Sequence, residues 1–111
     1  MSIQMITVPA NTAEPVTTTE TDGSLTTLQT AVGGWVEAVG IGNVCIYLDE
    51  EGKLKNRPAN VRATKLAHRL KLISAHDVIV GDAVVTGFND DTGENADAPD
   101  TALHFLTNVK V

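Results

Sequence analysis

Leu28-Gln29-Thr30-Ala31-Val32-Gly33-Gly34-Trp35-Val36-Glu37-Ala38-Val39 joins a helical pattern to an extended one through two adjacent glycines. Reading backward from Gly33, Leu25, Leu28, Gln29 and Val32 recur at i, i+3, i+4 and i+7 and so share one helical face, with Ser24 placed to cap the first turn. Three of these four are apolar, which marks the face as core. A helix commonly ends on a residue with positive φ, and glycine adopts it without a Cβ clash. Gly33-Gly34 therefore stops the helix, and Trp35 to Ile41 is predicted to be a strand.

Gln29 is the odd member of the helical face, because a buried amide must find partners or cost roughly 1–3 kcal/mol. It either bonds neighbouring backbone or meets a ligand. Alternation puts Glu37 on the strand face of Trp35 and Val39, where it is either solvated or paired with an arginine.

The rest of the chain extends this frame. Ile3-Gln4-Met5-Ile6-Thr7-Val8 is rich in strand formers and stops at Pro9. Pro15-Val16-Thr17-Thr18-Thr19-Glu20 reads either as an edge strand beside it or as a loop, with Thr21-Asp22-Gly23 as a turn. Val44 to Leu48 is five apolar residues in a row, a strand buried on both faces, and Gly42-Asn43 makes a hairpin connection to it from Ile41. Asn60 is a good N-cap for a second helix ending near Leu72, with Ala63, Leu66, Ala67 and Leu70 facing inward. Val78 to Phe88 supplies the last strands, continuous or broken at Gly81-Asp82. Asn89 to Pro99 is an acidic loop, and Thr101 to Val109 fits a short helix or a strand.

Length and composition set limits. With 111 residues and 42% hydrophobic content, the chain suits one domain with a modest core. No apolar run approaches the ~18–20 residues of a membrane span, and the N-terminus lacks the basic region of a signal peptide, so a cytoplasmic protein is expected. The single cysteine, Cys45, lies inside an apolar run and is expected to pack as a small hydrophobe. The net charge of −6 argues against general nucleic-acid binding. Its distribution is uneven: seven of the eight basic residues, Lys53, Lys55, Arg57, Arg62, Lys65, Arg69 and Lys71, fall in one stretch without an acid.

L-Q-x-x-V-G-G-x-V-E (Leu28 to Glu37), D-E-E-G (Asp49 to Gly52), N-x-R-A-T (Asn60 to Thr64) and V-G-D-A-V-V-T-G (Val80 to Gly87) together carry a resemblance. Over roughly residues 25–91 the chain resembles a family of small uncharacterised proteins found mainly in phages and actinobacteria. The resemblance implies a phage or bacterial cytoplasmic setting and transfers no catalytic residue. The chain divides accordingly into residues 1–24, a strand and a variable segment, the family-like core 25–91, and the acidic loop and C-terminal element 92–111, all in one domain of residues 1–111.

Chemistry-bearing constellations are sparse. Ser2, Ser24, Ser74, His68, His76 and His104 show no spacing of nucleophile to base, so catalytic residues are not assigned. His76, Asp77 and Asp82 fall short of a zinc set. Asp90 to Asp97 is oxygen-rich but lacks the alternate positions and final glutamate of an EF-hand. Neither metal nor cofactor is expected. The basic stretch is the strongest candidate. Arg62, Lys65 and Arg69 are spaced as a stripe along one helix edge, and the helix N-terminus at Asn60 adds backbone donors beside Arg57 and Arg62. These five residues, Arg57, Asn60, Arg62, Lys65 and Arg69, are the expected anion- or partner-binding surface. Gln29, Trp35, Glu37 and Tyr47 are the expected lining of a ligand pocket.

The expected fold is α+β, a mainly antiparallel sheet of about four to six strands in a two-layer domain with two helices packed on one face. Open sheet edges and separated charge blocks favour a homodimer or larger homo-oligomer. The expected function is that of a non-enzymatic phage accessory protein binding a host protein. The alternative is an oligomeric binder that sequesters a phosphorylated or nucleotide signal, and nucleic-acid binding through residues 53–71 ranks third because that stretch has no aromatic to stack on a base.

Overall fold

A strand whose residues are buried on both faces needs cover on both sides, and the central strands of this protein meet that condition. In a computed structural model, which describes every residue except Met1 and Gly42 and only the backbone of Ile41, strands β1 (Ile3–Val8) and β5 (Ala83–Asn89) lie side by side at the centre. Ile6, Val8, Ala83 and Val85 point to one face and Met5 and Val84 to the other, and all six are buried. Among the described residues the sheet has six strands, in the order β2-β1-β5-β4-β3, where β2 is Thr17–Thr21, β3 Val36–Ile41 and β4 Val44–Asp49; β6 (Glu94–Ala96) pairs the second half of β5. Every pairing is antiparallel.

Among the described residues, three helices complete the α+β domain: α1 (Leu25–Val32), α2 (Val61–Arg69) and α3 (Asp100–Asn108). The antiparallel sheet and the two helices sharing a face are as expected, but the pair is α2 and α3. Their Ala63, Leu66, Ala67, Ala102 and Leu106 pack against Ile6, Val8, Ile46 and Val85. α1 lies on the opposite face, where Leu28 and Val32 cover Met5 and Val84. The run Ala83-Val84-Val85-Thr86-Gly87, buried at every position, demands this second cover.

Local signals placed most boundaries. Ser24 Oγ accepts from the Thr27 amide, and Gly33 closes α1 at φ 81°. Leu25, expected on the buried face, is 59% exposed because it sits at the free end of the helix. Of the open alternatives, Pro15 to Glu20 contributes an edge strand and Thr101 to Val109 a helix. The expected acidic loop contains the short strand β6. The Gly42-Asn43 turn lies, at Gly42, outside the described residues.

Candidate functional site

Asp49 ends β4 with its side chain fully out of solvent, so its charge has to be matched within the protein. The match comes from the next turn of chain. Lys55 Nζ donates to Oδ2 at 3.0 Å, Arg57 Nε donates to the same oxygen at 2.8 Å, and the Glu51 amide donates to Oδ1 at 2.9 Å. Burial alone would push this carboxyl up, but the Glu51 amide, Lys55 and Arg57 outweigh it and hold the group below the usual carboxylate range. Arg57 also donates from Nη2 to the Gly33 carbonyl at 2.9 Å, so one guanidinium joins the end of β4 to the end of α1.

The glycines of the quoted motifs converge here. A Cβ on Gly34 would stand 2.9 Å from both Asp49 carboxylate oxygens, and one on Gly81 would stand 2.8 Å from Arg57 Cδ. One on Gly52 would meet Val80 Cγ2 at 2.9 Å. Three separated motifs therefore share a single physical task, the close packing of chain around the Asp49 ion pairs.

The N-x-R-A-T segment is a set of tethers. Asn60 is fully buried; its Oδ1 accepts from the Ala63 amide, and its Nδ2 donates to the Val8 and Gly81 carbonyls at 2.8 and 3.0 Å. Arg62, 8% exposed, donates from Nη2 to the carbonyls of Pro9, Asn11 and Glu14. Thr64 Oγ1 accepts from the Ile79 amide at 2.9 Å.

This geometry corrects the expected basic stripe. Arg62 faces inward because the chain between β1 and β2 presents carbonyls with no strand partner, and a guanidinium supplies donors for them. Lys65 is exposed and donates to the Lys110 carbonyl, and Arg69 is exposed with its guanidinium 5.5 Å from the Phe105 ring centroid. With Asn60 buried and Arg57 held by Asp49, the five residues do not form one open anion surface.

Of the four expected pocket residues, two meet. Gln29 and Trp35, with Gly34, Glu51 and Lys55, line a shallow hollow of about 300 Å3. Trp35 is 66% exposed. Glu37, exposed, lines a separate hollow of about 160 Å3 with Lys53, Leu54 and Asp77, where Lys53 and Asp77 pair at 2.6 Å. Tyr47 lies beneath α1, and its hydroxyl donates to Asn95 Oδ1 at 2.7 Å. Glu51 and Lys55 were not anticipated at this site. Their signal was Asp49 itself, an acid ending an apolar strand and followed by K-L-K-N-R.

An indole flanked by a lysine, a glutamate and an amide can stack, pack apolar groups and accept or donate hydrogen bonds. Among the described residues no group of three or more His, Cys, Asp and Glu side chains is arranged to hold a metal, and no helix is long and apolar enough to cross a membrane. A family model described as a domain of unknown function, DUF3846, matches residues 3–109. Neither the curated proteins nor the solved structures yield a match.

Proposed function

The chain belongs to the DUF3846 family of domains of unknown function, and from that premise we propose that it is a non-enzymatic binding module that engages a protein partner around Trp35. The observation that carries this reading is the exposure of Trp35 on an immobilised backbone. Gly34 before it packs on the buried Asp49, and its own carbonyl accepts from the Glu50 amide at 2.8 Å. An exposed indole on a hydrogen-bonded backbone offers a large apolar area with only two side-chain torsions to order, and tryptophan is enriched among the residues that dominate interface energies. The likeness of the Leu28 to Glu37 stretch to phage and actinobacterial proteins supports a phage-encoded chain acting on a host protein in the host cytoplasm.

A phosphorylated small ligand or a nucleic acid draws less support. Arg57 and Arg62, the arginines expected to meet phosphate, give their donors to Asp49 and to backbone carbonyls.

Affinity capture from a host lysate with the native chain and with Trp35→Ala tests the reading. Native protein should retain a specific partner, and Trp35→Ala should weaken its binding by roughly 30-fold or more, the ≥2 kcal/mol of an interface anchor, with an unchanged thermal midpoint. Equal retention by the two, or a large nucleotide-induced thermal shift, overturns it.

A further inference from the structure

The outer side of β3 carries unpaired backbone. β3 ends the sheet, and among the described residues no strand pairs with its free side. The ladder places Trp35 opposite Glu50 in a hydrogen-bonded pair and then alternates, so Glu37 and Val39 direct their amides and carbonyls to β4. Val36, Ala38 and Gly40 direct theirs outward. On the α1 side of this edge the side chains are small, and Ala38, Gly40, Cys45, Tyr47, Phe88 and Asp90 line a groove of about 310 Å3. On the other side stands the exposed Glu37.

Charge decides the occupant. Glu37, Glu50 and Asp90 flank the edge and are exposed, while the cations near it, Lys53 and Lys55, are held by Asp77 and Asp49. Pairing β3 with itself would bring the acids of two copies into one seam between chains of net charge −6. The opposite edge, β2, offers Thr17-Thr18-Thr19-Glu20-Thr21 with no apolar side chain to bury.

We propose that β3 is a docking edge for an extended segment of a partner protein that alternates apolar and basic residues, adding an antiparallel or parallel strand to the sheet. Its apolar side chains enter the groove beside Ala38 and Gly40, and its lysines or arginines face Glu37. This rests on the protein-binding reading above and names the chemistry of the partner.

Synthetic peptides of about seven residues, the span of the edge, provide the test: one alternates valine with lysine, one valine with glutamate, and one is the lysine peptide N-methylated at alternate residues. Amide exchange followed by NMR should slow at least tenfold at Val36, Ala38 and Gly40 with the lysine peptide and with neither of the others. Glu37→Lys should reverse the preference to the glutamate peptide. The inference is overturned if the lysine peptide does not bind, if its N-methylated form binds equally, or if exchange slows elsewhere and not at these three amides. Slow exchange of the three amides in the free protein that is lost on dilution assigns the edge to a second copy and overturns the proposed occupant. Ala38→Pro removes an outward N–H and no ladder bond. If a captured partner is lost with Trp35→Ala but kept with Ala38→Pro, the docking strand fails while the Trp35 reading stands. If the lysine peptide protects the edge while no captured partner depends on Trp35, the reverse holds.

Discussion

Replacing Asp49 by asparagine keeps the side-chain volume and removes the charge that Lys55 and Arg57 share. Breaking a fully buried ion pair costs ~3–5 kcal/mol, but the side chains of Lys55 and Arg57 remain 40% and 31% exposed and regain water. We expect Asp49→Asn to cost ~2–4 kcal/mol by urea denaturation, and a loss under ~1 kcal/mol would show that the cluster is incidental to stability. Gly34→Ala acts on the same cluster by steric means. Its Cβ meets a carboxylate that its three donors pin in place, so ~1–3 kcal/mol is expected, the cost of inserting a methyl group into packed structure. The sequence identified Gly33-Gly34 as a helix stop, which the φ of 81° at Gly33 confirms. That Gly34 is also required for the approach of Asp49 is a fact of packing, invisible until β4 lies against the end of α1.

At the scale of elements, α2 separates what periodicity can and cannot say. Leu66 is 2% exposed, and Leu66→Ala should cost ~2–5 kcal/mol through lost burial and a cavity. Lys65→Gln and Arg69→Gln together should move stability by under ~1 kcal/mol, since both side chains are exposed. Arg62 breaks with its two neighbours. Its guanidinium ties down the chain between β1 and β2, with Nε left unpartnered, so Arg62→Gln should cost ~1–3 kcal/mol and speed amide exchange or proteolysis over residues 10–16. Native-like protection of that segment in the variant would remove the tether role. Helical spacing put all three cations on one edge of α2, but whether a long side chain turns outward or inward depends on what lies across from it.

Across the whole molecule, the acid limb of stability is set by aspartates. Asp22 is held below the usual range by the Ser24 amide and the Thr27 hydroxyl, Asp77 by Lys53 and the Val78 amide, and Asp49 by donors that outweigh its burial. A carboxyl whose folded pKa is depressed binds protons more readily in the unfolded chain. Its contribution is therefore complete above the unfolded value of ~3.9 and is lost as pH falls through the folded value. The thermal midpoint should hold between about pH 5 and 7 and fall below about pH 4, with a shallower fall for Asp49→Asn. The alkaline limb has one reporter, because Tyr47 is the sole tyrosine. Burial first, and then Cys45, push its phenol up to about 12. Folded protein thus binds the phenolic proton more tightly, and this contribution is lost as pH rises from ~10 through about 12. Phenolate absorbance should titrate near 12 in folded protein and near ~10 in urea.

The sequence by itself determined the strands β1 and β4, the capped starts of α1 and α2, the stop at Gly33 and the antiparallel α+β class, because periodicity, caps and turns are local and act before any long-range contact forms. Only the tertiary structure decided that α1 crosses to the far face of the sheet, that Arg57, Asn60 and Arg62 serve backbone and Asp49, and that Trp35 stands in solvent beside Gln29. Each of these depends on which groups from distant segments are left without a partner when the layers close. A buried carbonyl or carboxylate recruits the nearest cation that can reach it, and sequence spacing does not reveal which one that is.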